Sequence, residues 1–226
     1  MIWFTADEHY GHQSPTNPQR GIIQYCNRPF RTKDGLPDVN LMDETLIANH
    51  NYVVGPDDTV VHVGDFSLIK ATKKVREYIR RLNGKRHVFI RGSHDRWLAN
   101  ANEIWEVELP TLVGRCCIVA CHYPMGSWAK SHYGSWQVFG HHHGRYPASR
   151  LVGKQYDVGV DCNGFTPVSF DQLQVQMMRL PDNWNLLKRD TEGDEEDKDA
   201  EGQEEEKLAQ DASRESRDPL SHGSLS

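Results

Sequence analysis

A repeated sequence pattern constrains the fold most strongly. In it, a short apolar, β-branched run ends abruptly in polar residues. Runs of four or five such residues, bounded by glycine and polar residues, are typical of buried strands. Asp or His, two common metal ligands, follows each run within a few residues. The five runs are IWFTA before Asp7, TVVHV before Gly64-Asp65, HVFI before Arg91, CCIVA before Cys121-His122 and WQVF before Gly140-His141.

Helical patterns lie between these runs. The segment 43–51 follows a candidate cap, and the segment 71–82 carries apolar side chains at helical spacing before Asn83 and Gly84. Strands that alternate with helices predict an α/β domain.

The second half of the chain predicts additional strands. Segments 107–121 and 155–160 are typical of strands with short connections, so we expect a mixed sheet. Ser169 with Asp171 is predicted to start a last short helix, SFDQLQVQMM.

The composition changes at Arg189. From there to Ser226 the chain has five Lys and Arg against fourteen Asp and Glu and no aromatic residue, which predicts an acidic, disordered tail over 189–226. The remainder, 1–188, has 21 basic and 18 acidic residues and is predicted to be the folded domain. This mildly basic balance suits an anionic substrate but does not by itself indicate nucleic-acid binding.

The cysteine pattern and the lack of a long apolar run predict the cellular compartment. The five cysteines form no CxxC pair, and reduced thiols are the simpler interpretation of their odd number. The N-terminus lacks a basic region followed by a long apolar run, and no stretch approaches about 18 consecutive apolar residues. We therefore expect a cytoplasmic protein that does not associate with a membrane.

The polar residues after the predicted strands are expected to meet in space. In an open α/β sheet, ligands bind beyond the carboxyl ends of the strands. Asp65 is the candidate to bridge two ions, because it follows Gly64, whose missing side chain is expected to leave room for the metal pair. Two carboxylates and four imidazoles, enough for two ions, come from Asp7, His9, Asp65, His122, His141 and His143.

Each of these residues also has an ordinary structural interpretation. A single histidine at a strand end is more often hydrogen-bonded than bound to a metal. Asp65 after Gly64 is also compatible with a turn, and the run 141–143 with a nonspecific metal-binding tract. Five such groups in order, each after a predicted strand, favour the metal site.

The same residues carry a family resemblance. The motifs Asp-x-His, Gly-Asp, Gly-x-His-Asp, His and Gly-His-x-His, in this order, resemble those of the calcineurin-like metallophosphoesterases. The resemblance covers almost all of 1–187, and the phrases FTADEHYGH, YCNRPF, LNGKRHVFIRGSHD and HYPMGSW are typical of a small bacterial and phage single-domain branch. It implies a four-layer α/β/β/α sandwich with mixed sheets, in which 1–188 is a catalytic domain. It also implies two divalent ions, with Mn²⁺ preferred over an Fe/Zn pair or Ni²⁺.

The resemblance assigns a role to each motif residue. His94 is expected to be the catalytic imidazole, with Asp95 orienting it. The implied ligands are Asp7, His9 and His143 for the first metal, Asp65 as the bridge, and His122 and His141 for the second metal.

The chain departs from the family at one ligand. The family has Asn where this chain has Ser93, whose hydroxyl is a poorer neutral ligand, so we expect a weaker second site. Arg91 is a candidate phosphate clamp, although an Arg at a strand end is as often simply solvated. His12 and Arg28 are candidate substrate contacts, with loop packing as the alternative.

The expected activity is hydrolysis of phosphate esters. A phosphodiester such as a small nucleotide is the first choice, because the short chain leaves no room for a cap domain, and a phosphomonoester is the alternative. A second alternative is a metal-binding interaction module in which Ser93 marks weakened catalysis and the acidic tail recruits an unknown protein partner.

Overall fold

The first sheet contains the apolar runs that begin at Ile2, Thr59 and His87. The computed structural model describes residues 1–14, 16–17 and 19–183. Within them, the first sheet has the order β3-β2-β1-β8, with β1, β2 and β3 parallel and β8 antiparallel to β1. Its strands are β1 (Ile2–Thr5), β2 (Thr59–Val63), β3 (Arg86–Ile90) and β8 (Val168–Ser169).

The second sheet has the order β4-β5-β6-β7, in which an antiparallel hairpin precedes two parallel pairs. The predicted strand pair over 107–121 is this hairpin, whereas the strand predicted over 155–160 already ends at Asp157. Its strands are β4 (Ile104–Thr111), β5 (Gly114–Cys121), β6 (Trp136–Phe139) and β7 (Gln155–Asp157).

The helices begin at recognisable caps. The helix predicted over 43–51 starts earlier, because the Asp38 side chain accepts a hydrogen bond from Leu41 N (2.9 Å). The last helix begins at the predicted Ser169, whose partner in a capping box is Gln172. The helices are α1 (Ile22–Tyr25), α2 (Val39–Val53), α3 (Thr72–Ile79) and α4 (Phe170–Met177).

Both sheets contribute to one hydrophobic core. Alternate residues of β1 and β2, such as Phe4 and Val61, pack in the same cluster as Ile118 and Val138 of the second sheet. The α2 and α3 helices bury their apolar faces in a separate cluster that contains Leu46 and Val75. The predicted α/β class with mixed sheets is therefore confirmed.

The strand ends of the two sheets are joined directly. Ala6, just after β1, donates its N–H to Val158 O (3.1 Å), and Val160 N donates to Ala6 O (3.0 Å). Because Val158 and Val160 follow β7 of the second sheet, these bonds hold the carboxyl ends of β1 and β7 side by side. The loops after the parallel strands therefore surround one region.

No helix in the described residues is long and apolar enough to span a membrane. The predicted acidic tail over 189–226 lies outside the residues that the structure describes.

Candidate metal centre

The predicted ligands converge as two groups. In each group, one potential ligand atom per residue lies within 4.8 Å of the others. The prediction that the polar residues after the strands meet in space thus holds for residues more than 130 positions apart in the sequence. The first group is Asp7, His9 and His143, and the second is Asp65, His122 and His141.

Asp65 lies between the two groups. Its Oδ2 atom is 3.2 Å from His122 Nε2 in its own group and 3.8 Å from His9 Nε2 in the other. A carboxylate in this position has the geometry that a shared ligand requires.

The backbone is strained at the predicted ligands. Positive φ is uncommon in non-glycine residues, although Asp and His adopt it more readily than most. Strain of this kind concentrates at functional sites, because the surrounding structure must hold it in place. Of the eight described non-glycine residues with positive φ, five are predicted ligands: Asp7 (59°), His9 (55°), Asp65 (57°), His141 (72°) and His143 (51°).

Glycines allow the ligands to approach one another. A Cβ at Gly140 or Gly159 would lie 2.7 or 2.8 Å from Asp7 Oδ2, and one at Gly92 would lie 2.3 Å from Asp65 Oδ1. A Cβ at Gly64 would lie 2.5 Å from His122 Nδ1. The expectation that Gly64 leaves room for the metal pair was wrong in this respect, because the ring of His122 fills that space.

The imidazole rings are oriented by their second nitrogen atoms. His122 Nδ1 donates to Val63 O (3.0 Å), and His143 Nδ1 is bonded to Asp161 Oδ2 (2.7 Å). A ring held in this way turns its Nε2 atom toward the other members of its group, as metal-binding histidines do.

The structure offers a direct test of whether a metal fits. His9 Nε2 is buried and has no hydrogen-bond partner in the described residues, whereas the buried His122 Nε2 lies 3.2 Å from Asp65 Oδ2. Buried polar atoms are rarely left unpaired, so His9 Nε2 is aimed at a group that the protein itself does not supply. Together with the carboxylates of Asp7 and Asp65, this donor set suits divalent ions such as Mn²⁺, Fe²⁺ or Zn²⁺.

Burial and neighbouring charges shift the pKa values of the residues in this site. Burial raises the pKa of Asp7 to about 7. Burial also opposes ionisation of Asp65, but the neighbouring His122 and His9 rings hold the pKa of Asp65 well below its usual value. Burial disfavours the charged ring of His143, but the bond to Asp161 outweighs it and raises the pKa of His143 to about 10. Metal binding here would therefore release protons.

His94 lies beside the ligand groups without belonging to either. Its side chain is 42 % exposed, and its Nε2 atom is 3.9 Å from Asp65 Oδ2. The His94 backbone N–H donates to Asp65 Oδ1 (2.8 Å), and this bond fixes the start of the loop that follows β3. An accessible imidazole in this position can reach a bound substrate.

Asp95 does not orient His94, which corrects the prediction. The buried Asp95 carboxylate accepts backbone N–H bonds from Asp65 (2.7 Å), Gly92 (3.0 Å) and Ser67 (3.2 Å) and a bond from Trp97 Nε1 (3.1 Å). These bonds take up its acceptor positions. Asp95 therefore braces the loops that carry Asp65 and His94, and it is not itself a catalytic group.

Ser93 contacts the predicted bridge. Its hydroxyl donates to Asp65 Oδ2 (3.1 Å) and lies 3.3 Å from Asp65 Oδ1. Tyr123, which was not predicted, also lies here: its ring centroid is 4.8 Å from that of His141 and 5.0 Å from that of His122. Tyr123 directly follows the predicted ligand His122, which is the signal that could have identified it.

Of the two predicted substrate contacts, the structure supports the position of only one. His12 Nδ1 is 3.0 Å from His9 Nδ1, and the His12 ring lies 5.7 Å from that of His94, so His12 borders the site. Arg28 is wrong as a substrate contact, because it is only 1 % exposed and its N–H groups are all bonded within the protein.

Arg91 remains a prediction. Its side chain is partly exposed, and its Nη1 atom lies 4.0 Å from Glu103 Oε1. This weak ion pair leaves the guanidinium accessible.

Asp161 and Cys26 were also missed. They form a third group of potential ligands together with His143. Asp161 directly follows the predicted strand segment 155–160, so the rule that identified Asp7 and Asp65 would have found it.

Comparisons with known proteins identify a relative by sequence and a solved structure with a similar fold. The uncharacterized protein MJ1445 of Methanocaldococcus jannaschii is 34% identical over 175 residues, which cover 75% of this chain and 87% of that protein. The crystal structure of the protein of unknown function AQ665 from Aquifex aeolicus has a TM-score of 0.52 at 21% identity, covers 76% of this chain and 97% of its own, and supports the fold alone. No family model matches the chain.

Proposed function

We propose that the chain, which belongs to the same protein family as the uncharacterized M. jannaschii protein MJ1445, is a dinuclear metal-dependent phosphoesterase. The proposal rests on the strained ligand cluster that its own residues form. In this proposal the fold is the four-layer α/β/β/α sandwich of the calcineurin-like enzymes. The active site lies at the carboxyl ends of the parallel strands.

The position of Asp65 carries the proposal. Its Oδ2 atom lies 3.2 Å from His122 Nε2 in one ligand group and 3.8 Å from His9 Nε2 in the other, and His9 Nε2 is buried without a hydrogen-bond partner in the described residues. Buried imidazoles that served only to pack the core would be expected to have their nitrogen atoms hydrogen-bonded. The arrangement is therefore best explained by two cations that share one carboxylate.

The first cation would be held by Asp7, His9 and His143, and the second by His122 and His141, with Asp65 common to both. Two bound divalent ions would supply positive charge for the phosphoryl oxygens and would lower the pKa of a bound water. Mn²⁺ is the proposed ion, with an Fe/Zn pair or Ni²⁺ as alternatives.

The protein supplies the remaining chemistry through His94. Its ring is partly exposed and lies near Asp65, so it can donate a proton to a leaving oxygen or stabilise the charge on that oxygen. His12, whose ring is 5.7 Å from that of His94, borders the same space. Burial lowers the pKa of His12 to about 4, so at neutral pH this ring is uncharged and can accept or donate a hydrogen bond.

The proposed substrate is a phosphodiester of small, nucleotide-like size. The predicted clamp Arg91 is accessible and could offset the remaining charge of such a substrate. A phosphomonoester is the alternative substrate within the same mechanism.

A second candidate function is metal-dependent binding with weakened catalysis. The Ser93 hydroxyl donates to Asp65 Oδ2 and would be a poorer neutral ligand than the amide that the family has at this position. A second cation held only by Asp65, His122 and His141 would be bound less tightly.

The experiment is hydrolysis of bis(p-nitrophenyl) phosphate and of p-nitrophenyl phosphate by the metal-free protein, titrated with Mn²⁺. We expect Mn²⁺-dependent turnover with the diester faster than the monoester. A matched Asp7→Asn variant should be inactive. Turnover of the monoester alone would replace the diesterase proposal, and no turnover of either substrate despite bound Mn²⁺ would favour the binding function.

A further inference from the structure

Arg28 is an unusual buried residue because all of its donors are used. Its side chain is fully enclosed, and arginine carries five N–H donors. Nη1 donates to Glu8 O (3.1 Å) and Met42 Sδ (3.3 Å), and Nη2 donates to Asp7 O (2.6 Å). The guanidinium thus holds the two carbonyl groups at the start of the Asp7-Glu8-His9 loop, which contains two ligands of the first group.

The remaining donors of Arg28 bind a carboxylate 133 positions away in the sequence. Nε and Nη2 form a bidentate pair with Asp161 Oδ1 (2.8 Å) and Oδ2 (2.7 Å). Such a planar pair fixes the orientation of the carboxylate as well as its position.

Asp161 passes this orientation to the third ligand. Its Oδ2 atom also accepts the bond from His143 Nδ1 (2.7 Å). The carboxylate is therefore held by Arg28 on one side and holds the His143 ring on the other. One guanidinium contacts the backbone of Asp7 directly and the side chain of His143 through one intervening carboxylate.

We infer that Arg28 and Asp161 are positioning residues for the first metal, and that they hold its ligands in the binding geometry before the ion arrives. This inference rests on the proposed dinuclear centre. It also explains why Arg28 is buried instead of facing the substrate. Neither residue contacts the second group, which is held by other bonds. Asp65 donates its N–H to Asp95 Oδ2 and accepts the His94 N–H, and the His122 ring donates to Val63 O.

The inference predicts a selective effect. In Asp161→Asn, one oxygen must serve the three donors that the carboxylate serves, so the His143 ring loses a charged acceptor and its preferred tautomer. Loss of such an outer partner typically weakens metal binding by about 10- to 100-fold. We expect this loss at the first metal only.

The test is calorimetric titration of the metal-free full chain with Mn²⁺. The matched control is Asp157→Asn, because Asp157 is a neighbouring carboxylate that accepts backbone N–H bonds from Gly159 (2.8 Å) and Gly144 (3.2 Å). We expect two Mn²⁺ sites in the wild-type protein and in the control. In Asp161→Asn we expect one site at wild-type affinity and one weakened by about 10- to 100-fold, with an intact cooperative unfolding transition.

Two further variants separate positioning from general stability. Arg28→Lys keeps the charge but cannot bind both oxygens of Asp161, so it should also weaken the first site selectively. In a His143→Asn background, adding Asp161→Asn should have no further effect on Mn²⁺ affinity.

The outcomes of these titrations distinguish failure of the positioning role from failure of the proposed function. Two unaltered Mn²⁺ sites in Asp161→Asn would overturn the positioning role while leaving the dinuclear centre in place. Equal weakening of both sites would also overturn it, because that result indicates a general structural role. Absence of any Mn²⁺ binding by the wild-type protein would overturn both the inference and the proposed function.

Discussion

Two groups of histidines lie on this protein within a few residues of each other, and they differ in almost every physical respect. One is the candidate metal centre at the strand ends. The other, here called the histidine stack, consists of His50, His62 and His87 beside the first sheet, with ring centroids 5.3 to 6.3 Å apart.

The histidine stack satisfies its own hydrogen bonds. His62 bonds to Glu8 Oε1 (2.6 Å) through one nitrogen and to His87 Nδ1 (3.0 Å) through the other, and His50 Nε2 bonds to Asn83 O (2.8 Å). Its three residues lie in regular strand or helix backbone. In the candidate metal centre, by contrast, the buried His9 Nε2 atom has no hydrogen-bond partner in the described residues and five residues have positive φ.

The carboxylates of the two groups differ in charge. Burial raises the pKa of Glu8 to about 8, so this acid is mostly neutral near pH 7. Asp65 stays ionised because its imidazole neighbours hold its pKa low despite burial. Clustered histidines therefore do not define a metal site by themselves. An unpaired buried nitrogen atom, an ionised carboxylate and a strained backbone distinguish one.

The largest expected effect is on the residue between the two ligand groups. Asp65→Asn should abolish tight binding of both Mn²⁺ ions. Loss of an outer partner of a ligand costs about 10- to 100-fold in affinity, and loss of a shared ligand must cost more. The measurement is metal content after equilibrium dialysis.

The control for this prediction comes from the histidine stack. His87→Gln should retain both ions, since His87 belongs to neither ligand group. Comparable loss of Mn²⁺ in the two variants would erase the distinction between the groups.

A smaller effect, on rate alone, is expected at His94. His94→Asn should lower diester hydrolysis by about 10²- to 10⁴-fold, the usual contribution of a general acid. Mn²⁺ affinity should stay near the wild-type value, because His94 is outside both ligand groups. Single-turnover assays beside the exposed His132→Asn control measure this, and a parallel loss of Mn²⁺ would make His94 a ligand instead.

The histidine stack should respond to acid. Burial lowers the pKa of His50 to about 4, so between about pH 6.5 and 4 the unfolded chain binds more protons at this residue than the folded chain. His50 therefore gives full stability above pH 6.5 and loses it as pH falls, by an amount on the order of 3 kcal/mol at pH 4.

Urea unfolding of the metal-free protein and of His50→Gln across this pH range isolates that contribution. Gln can still donate a bond to Asn83 O but does not titrate. The difference between the two unfolding free energies should shrink or reverse as pH falls. Parallel curves would show that the stack does not stay uncharged in the folded protein.

The smallest effect is expected at Ser93. Ser93→Asn should strengthen the second Mn²⁺ site, because an amide oxygen is a better neutral ligand than a hydroxyl. The gain should be the smallest of these effects, since no charged ligand is added or removed. Ser93→Ala is the matched control, since it removes the bond to Asp65 without adding a ligand. Unchanged affinity in Ser93→Asn would mean that the amide does not reach the second ion.

The sequence predicted the residues of the site better than their contacts. Short apolar runs identified the strands that carry Asp7, Asp65 and His122, because strand ends in a parallel sheet share one edge. Which hydrogen bonds a side chain forms depends on loops that are distant in sequence. Arg28 was therefore mistaken for a substrate contact and Asp95 for a partner of His94. The early start of α2 was missed because its cap, Asp38, precedes the apolar pattern.

The central claim is that two cations share Asp65. A crystal structure of the protein grown with Mn²⁺, with anomalous data collected at the manganese edge, tests it most directly. We predict two peaks about 3.5 to 4 Å apart, one beside Asp7, His9 and His143 and one beside His122 and His141, with Asp65 in contact with both. A single peak, or manganese bound at His50, His62 and His87 instead, would contradict it.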